Sequence, residues 1–123
     1  MIVKFTLPVI PRTKKNHMIR TKHGLIQSEA YRQYESDCLM LIPSGWRNIM
    51  LSKPCNVRCI YFMPDRRRVD LLNLLSATLD VLVKARVLKD DHSGIVRGHD
   101  GSTVLIDKEH PRTEIEIELE EHA

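Results

Sequence analysis

Apolar and polar positions alternate from the start of the chain: Val3, Phe5 and Leu7 are separated by Lys4 and Thr6 and closed by Pro8. Period two turns one face of an extended segment to a core and the other to water, so this stretch is expected as a strand whose partner comes later. Residues 8–24 break the pattern. They hold two prolines, Asn16, Gly24 and the basic side chains of Arg12, Lys14, Lys15, Arg20 and Lys22, and read as a basic loop or loose hairpin. From Ser28 or Glu29 the spacing becomes helical, with Tyr31, Tyr34, Cys38 and Leu41 on one face and Pro43, Ser44 and Gly45 beyond its end.

Alternation returns at Val57, Cys59 and Tyr61, runs into Phe62 and Met63 and stops at Pro64. Asp70 then suits an N-cap for a nearly all-apolar helix from Leu71 to about Val87, buried on most sides. Asp100 and Gly101, flanked by residues 94–99 and 102–106, predict a hairpin. The strict alternation from Thr113 to Glu120 predicts a half-exposed last strand. The order strand, helix, strand, helix, strands implies an α+β fold, a small mixed β-sheet with two main helices packed on it, as a single domain over residues 1–123.

Charge sharpens this picture. The formal net charge is +3, yet residues 113–121 contain five Glu and no Lys or Arg, leaving 19 basic against 11 acidic side chains in residues 1–112. A basic body favours an anionic polymer or surface. Cys38, Cys55 and Cys59 form an odd set, and in a strand Cys55 and Cys59 would stand about 13 Å apart, too far to bond; a reduced, cytoplasmic protein is expected. No run approaches the roughly 20 apolar residues of a membrane span, and no export signal opens the chain.

Candidate chemistry concentrates between Met63 and His92. Arg66, Arg67 and Arg68 form a run that is either a solvated edge or a phosphate-binding cluster, since guanidinium forks match phosphate oxygens. Asp70 is either a helix cap alone or also a ligand for a hard divalent cation. Asp90, Asp91 and His92 are either a solvated turn or the other half of a metal site, and Asp91 meets Asp70 only if its loop folds back beside the next strand. On a helix Asp70, Asn73, Ala77, Asp80 and Lys84 share one sector, a thin polar stripe. Asp80 nevertheless lies about 15 Å along the axis from Asp70 and cannot share its metal, so Asn73 and Asp80 are expected to support the site from behind. His99 and Asp100 read as turn residues, and the histidines and cysteines show no zinc spacing.

With these residues the chain resembles the RusA family of Holliday junction resolvases, small homodimeric endonucleases of phages and prophages. The resemblance runs from Leu7 and Pro8 through Lys14, Lys15 and Asn16, Ser28, Tyr31 and Arg32, to the specific block from Met63 to Leu74. It continues through Asp80, Leu82, Lys84, Ala85, Leu88, Asp90 and Asp91 to the closing strand. It implies that Asp70 and Asp91 are catalytic and bind Mg²⁺, with Mn²⁺ as a substitute, that Lys14, Lys15 and Arg66 to Arg68 bind DNA, and that a homodimer acts on branched four-way DNA. A family acid two residues after the first aspartate falls on Leu72 and a family lysine on Ser76. Asp90 or Asp100 is then the nearest substitute for the missing carboxylate. Three functions follow in order: a Mg²⁺-dependent structure-selective endonuclease, a DNA-binding protein that has lost cleavage, and a basic assembly or inhibitor protein.

Overall fold

A computed structural model describes residues 1–14, 18–22 and 24–120. The opening strand β1 (Ile2–Leu7) is followed by a short antiparallel pair, β2 (Met18–Thr21) and β3 (Gly24–Gln27), then by helix α1 (Glu29–Leu41). Strand β4 (Cys55–Met63), helix α2 (Leu71–Lys84), two short strands β5 (Val96–Gly98) and β6 (Thr103–Ile106), and the last strand β7 (Arg112–Leu119) complete the order. β7 lies between β1 and β4, antiparallel to both, and β4 pairs parallel with β5 and β6 on its other side. The result is the mixed sheet with two helices that an α+β pattern requires. No helix among the described residues is long and apolar enough to cross a membrane.

Alternation does what period two demands. Val3, Phe5 and Leu7 of β1, Val57, Cys59 and Tyr61 of β4, and Ile115 and Ile117 of β7 are buried on one face. Tyr31, Tyr34 and Cys38 of α1 and Leu74, Leu75, Ala77, Thr78, Val81 and Leu82 of α2 close over them. Each large side chain so buried contributes roughly 1.5–3 kcal/mol. Cys38, Cys55 and Cys59 are buried and unpaired; burial pushes the Cys59 thiol up to about 12 and the Cys38 thiol up to about 11, which leaves both as small core groups rather than nucleophiles.

α2 is fixed to β4 by a polar contact inside this core. The Thr78 hydroxyl donates to the Leu74 carbonyl at 3.0 Å, so the Tyr61 hydroxyl, 2.6 Å away, is the donor to Thr78. Tyr61→Phe removes that donor and is expected to cost about 1 kcal/mol. The check is a lower urea midpoint with an unchanged slope; an unaltered midpoint would mean the bond contributes nothing net.

Two expectations need correction. The helix ends at Lys84, three residues early, because Arg86 adopts a left-handed conformation (φ 60) and the Val87 and Leu88 amides turn back to the Leu82 carbonyl. Val87 and Leu88 are apolar because they enter the core beside Leu51, not because they continue the helix. Nor do Asp100 and Gly101 join a hairpin. β5 and β6 follow one another along the same edge of β4, and residues 99–102 bulge between them. The bulge is held by side chains in place of a ladder: Asn56 accepts from the Asp100 amide and donates to its carbonyl, Ser102 Oγ accepts from the Cys59 amide, and the His99 ring bonds the Val57 carbonyl. Gly101 takes φ +86 beneath the Arg58 side chain, a left-handed conformation that favours Gly.

Candidate nucleic-acid interface

At one end of the sheet β1 and β4 finish and β7 begins, since Leu7 faces Thr113 and Phe62 faces Arg112. Three connections meet there: the one that leaves β1, the one that carries Arg66 to Arg68 into α2, and the turn before β7. Arg12, Lys14, Arg66, Arg67, Arg68 and Lys108 belong to these connections, and Arg112 opens β7 beside them. Their cationic groups are not equivalent. Arg112 is consumed by structure: it stacks 3.7 Å above the Phe62 ring and pairs with Asp107 and Glu114. Arg67 forks onto Asp65 at 2.8 Å and holds that carboxyl down at about 2.

Lys14 is ion-paired with Asp80, the polar group on the flank of α2, and both are about one-third exposed. Lys84, one turn on, reaches Glu35 of α1 at 2.7 Å. The polar stripe of α2 therefore ties the helix to α1 and to the basic connection, which gives Asp80 a partner of its own well away from Asp70. Arg66 and Arg68 are exposed and make no hydrogen bond or ion pair with the described residues. Arg12 likewise has no ion pair among them and lines a cleft of about 520 Å³ with Pro8, Val9, Gln33, Asp37 and His110. Neither this cleft nor the anchoring of Arg112 carries a signal in the sequence, because both depend on the register of Phe62 opposite Arg112. Lys15 lies outside the described residues.

Asp70 caps α2, its Oδ1 accepting from the Leu72 amide at 2.9 Å, and is exposed beside the arginines. Asn73 stands half-buried within the first turn. The cap leaves the second carboxylate oxygen facing water, so capping and ligation are compatible.

Asp90 and Asp91 stand at the opposite end of the molecule. The chain beyond α2 runs to the start of β4, where Leu88 bridges Leu51 and the Cys55 amide donates to the Ile95 carbonyl at 2.7 Å. The 14 residues of α2 thus separate Asp70 from Asp91 by roughly 20 Å, and the loop does not fold back as a shared metal within one chain requires. Asp90 Oδ1 accepts from the Asp91 amide at 2.7 Å, and Asp90 shares a cleft of about 250 Å³ with Lys89 and His92. Among the described residues no three Asp, Glu, His or Cys side chains converge on one ion. A single protomer does not fit the implied metal. Leu72, which stands where the family resemblance implies a third carboxylate, is 72% exposed on the surface of α2, and Ser76 is exposed one turn later.

Comparison with known proteins bears on this arrangement. Residues 8–118 match the family model described as Endodeoxyribonuclease RusA. A crossover junction endodeoxyribonuclease RusA of Escherichia coli (strain K12) is 35% identical over 88 residues, covering 70% of this chain and 71% of that protein. The equivalents from Enterobacteria phage 82 and from Shigella sonnei (strain Ss046) are each 37% identical over 87 residues, with the same coverage.

Proposed function

Because this chain belongs to the RusA family of endodeoxyribonucleases, we propose that it is a Mg²⁺-dependent endonuclease that resolves four-way DNA junctions as a homodimer. The observation that carries this reading is the splitting of the acids: Asp70 stands with free arginines at one end of α2, and Asp90 and Asp91 stand at the other. Two copies related by a two-fold axis supply Asp70 from one protomer and Asp90 and Asp91 from the other, twice over, which matches the paired cuts that a junction needs. When bound, Mg²⁺ supplies Lewis-acid stabilisation of the scissile phosphodiester and acidifies the attacking water.

The protein side chains do the rest. Arg66 and Arg68, lacking protein partners, take phosphate oxygens through charge-assisted forks, and Arg12 extends the contact along the same end of the sheet. Lys14, held by Asp80, presents its charge at a fixed position. Asn73 supports Asp70 from within the first turn of α2. Leu72 and Ser76 favour a second reading, a junction-binding protein that no longer cuts. A labelled four-way junction titrated with Mg²⁺ and Mn²⁺ separates the two. Metal-dependent paired incision is the expected result, and tight binding without incision at any metal concentration would establish the second reading.

Joint replacement of Arg66, Arg67 and Arg68 by Ala is expected to weaken binding to duplex and junction alike. Since only Arg66 and Arg68 are free, the slope of log affinity against log salt should fall by about two, not three. An unchanged slope would return the cluster to an ordinary solvated edge.

A further inference from the structure

The connection that leaves β1, one face of α1 and the turn before β7 enclose the cleft of about 520 Å³ at the basic end of the sheet, a size within the roughly 300–1,000 Å³ of a small-molecule site. Its walls are fixed. The Val9 amide turns back to the Leu7 carbonyl at 2.9 Å, Asp107 accepts from the amides of Glu109 and His110 at 3.2 and 3.1 Å, and Arg112 holds the His110 carbonyl at 2.8 Å. Pro8, Val9 and Pro111 give the cleft apolar sides. Two opposite charges line it without meeting: Arg12 and Asp37 are both half-buried, and neither forms an ion pair among the described residues. Asp37 Oδ1 accepts from Gln33 Nε2 at 2.8 Å, which orients the carboxylate and leaves Oδ2 without a donor among the described residues. A guanidinium and a carboxylate held apart on rigid walls call for an occupant that accepts at one edge and donates at the next.

A phosphate is the wrong occupant, because it would meet the Asp37 and Glu109 carboxylates as well as Arg12. A neutral planar ring with polar edges satisfies both charges, and the apolar sides suit its faces. We propose that the cleft takes a guanine base unstacked at the branch point of the DNA, with Asp37 accepting from its N1–H and N2–H groups and Arg12 forking onto its O6 and N7. The inference rests on the junction-nuclease reading and adds the base that the protein reads. Guanine is singled out by its edges: it alone sets two donors side by side for a carboxylate and two acceptors side by side for a guanidinium. A branch point also makes extrusion easier, since a base there lacks a continuous stack on one side. The placement agrees. Only β7 lies between β1, which leads to the cleft, and β4, which leads to Arg66 and Asp70, so the two sites start about 10 Å apart, two strand spacings. The base is then read within a few nucleotides of the phosphate held at Asp70.

Base analogues test this without disturbing the protein. Four-way junctions are made with each of the four bases in turn at every position flanking the branch point, and metal-free binding and Mg²⁺-dependent cleavage are measured for each. At one position guanine should be preferred about tenfold or more over the other bases. Hypoxanthine there, which lacks the N2 amino group, and 7-deazaguanine, which lacks N7, should each lose most of that preference. Two variants assign the contacts: Asp37→Ala should no longer distinguish guanine from hypoxanthine, and Arg12→Ala should no longer distinguish guanine from 7-deazaguanine. These ratios are taken within one variant, so a general loss of affinity from the removed charge cancels. Junction binding indifferent to base at every position overturns the guanine site and leaves the nuclease reading standing. A guanine preference that survives in both variants overturns it as well, because the base is then read elsewhere. Arg12→Ala that weakens all junctions equally and keeps the 7-deazaguanine ratio makes Arg12 a phosphate contact and overturns the assignment. No preference for junctions over duplex at any sequence overturns the reading beneath it and the guanine site together.

Discussion

Asp70→Asn is expected to lower junction cleavage in Mg²⁺ by about 10³-fold or more, equivalent to roughly 4 kcal/mol of transition-state stabilisation, while junction binding stays equal or tightens. The asymmetry has a physical cause. A carboxamide is a poor ligand for a hard cation, so the metal-dependent step is lost, whereas removing a negative charge beside phosphate-binding arginines reduces repulsion of the DNA backbone. Single-turnover cleavage and metal-free binding of the same junction read the two effects separately. Cleavage within tenfold of wild type would end the metal-ligand role of Asp70.

The substitution also separates ligation from capping. Asp70 Oδ1 accepts the Leu72 amide, and Asn keeps an oxygen able to accept it, so the unfolding free energy should fall by no more than about 1 kcal/mol, chiefly from the lost charge at the helix N-terminus. Asp70→Ala should cost more, because it removes the cap as well. If both variants were equally destabilised and equally inactive, loss of fold would explain the inactivity.

How much of this was legible in the sequence divides along a physical line. Elements set by local rules were readable. Ser28 and Asp70 were assignable as caps because their side chains compete for the amides two or three residues ahead, and β1, β4 and β7 were readable because strict alternation leaves one buried face. What failed depended on partners distant in the chain. Asp100 and Gly101 have the chemistry of a hairpin, yet Asn56, Ser102 and His99 make a bulge along β4 the better-bonded alternative. Nothing near residue 100 announces Asn56. Val87 and Leu88 extended the helical pattern because burial beside Leu51 selects the same residue types as burial in a helix.

The candidate site follows the same division. The arginines and Asp70 lie within five residues, so their proximity was readable, but which arginines are free was not: Asp65 engages Arg67 and leaves Arg66 and Arg68. The pairing of Lys14 with Asp80 spans 66 positions and redefined both residues. The largest revision concerns Asp91. A sequence orders Asp70 and Asp91 without saying whether the chain after a helix returns or continues, and here it continues to the far end of β4.

That separation leads to the sharpest expected result. Asp70→Asn and Asp91→Asn should each be inactive alone, yet a mixture refolded or exchanged at equal concentration should recover cleavage. In a heterodimer of the two variants, one shared site has lost both aspartates, whereas the other combines the intact Asp70 of one protomer with the intact Asp91 of its partner. Half of the dimers are mixed and each has one intact site of two, so nicking should return to about a quarter of the wild-type level. The product is equally diagnostic. One working site per dimer cuts one strand, so the mixture should give nicked junctions with few resolved duplexes, while the wild type gives paired incisions. Sites built within single protomers forbid any recovery, because every copy in the mixture carries a lesion. A mixture as inactive as its components, under conditions where subunit exchange is shown by differently tagged copies, would therefore overturn the shared site.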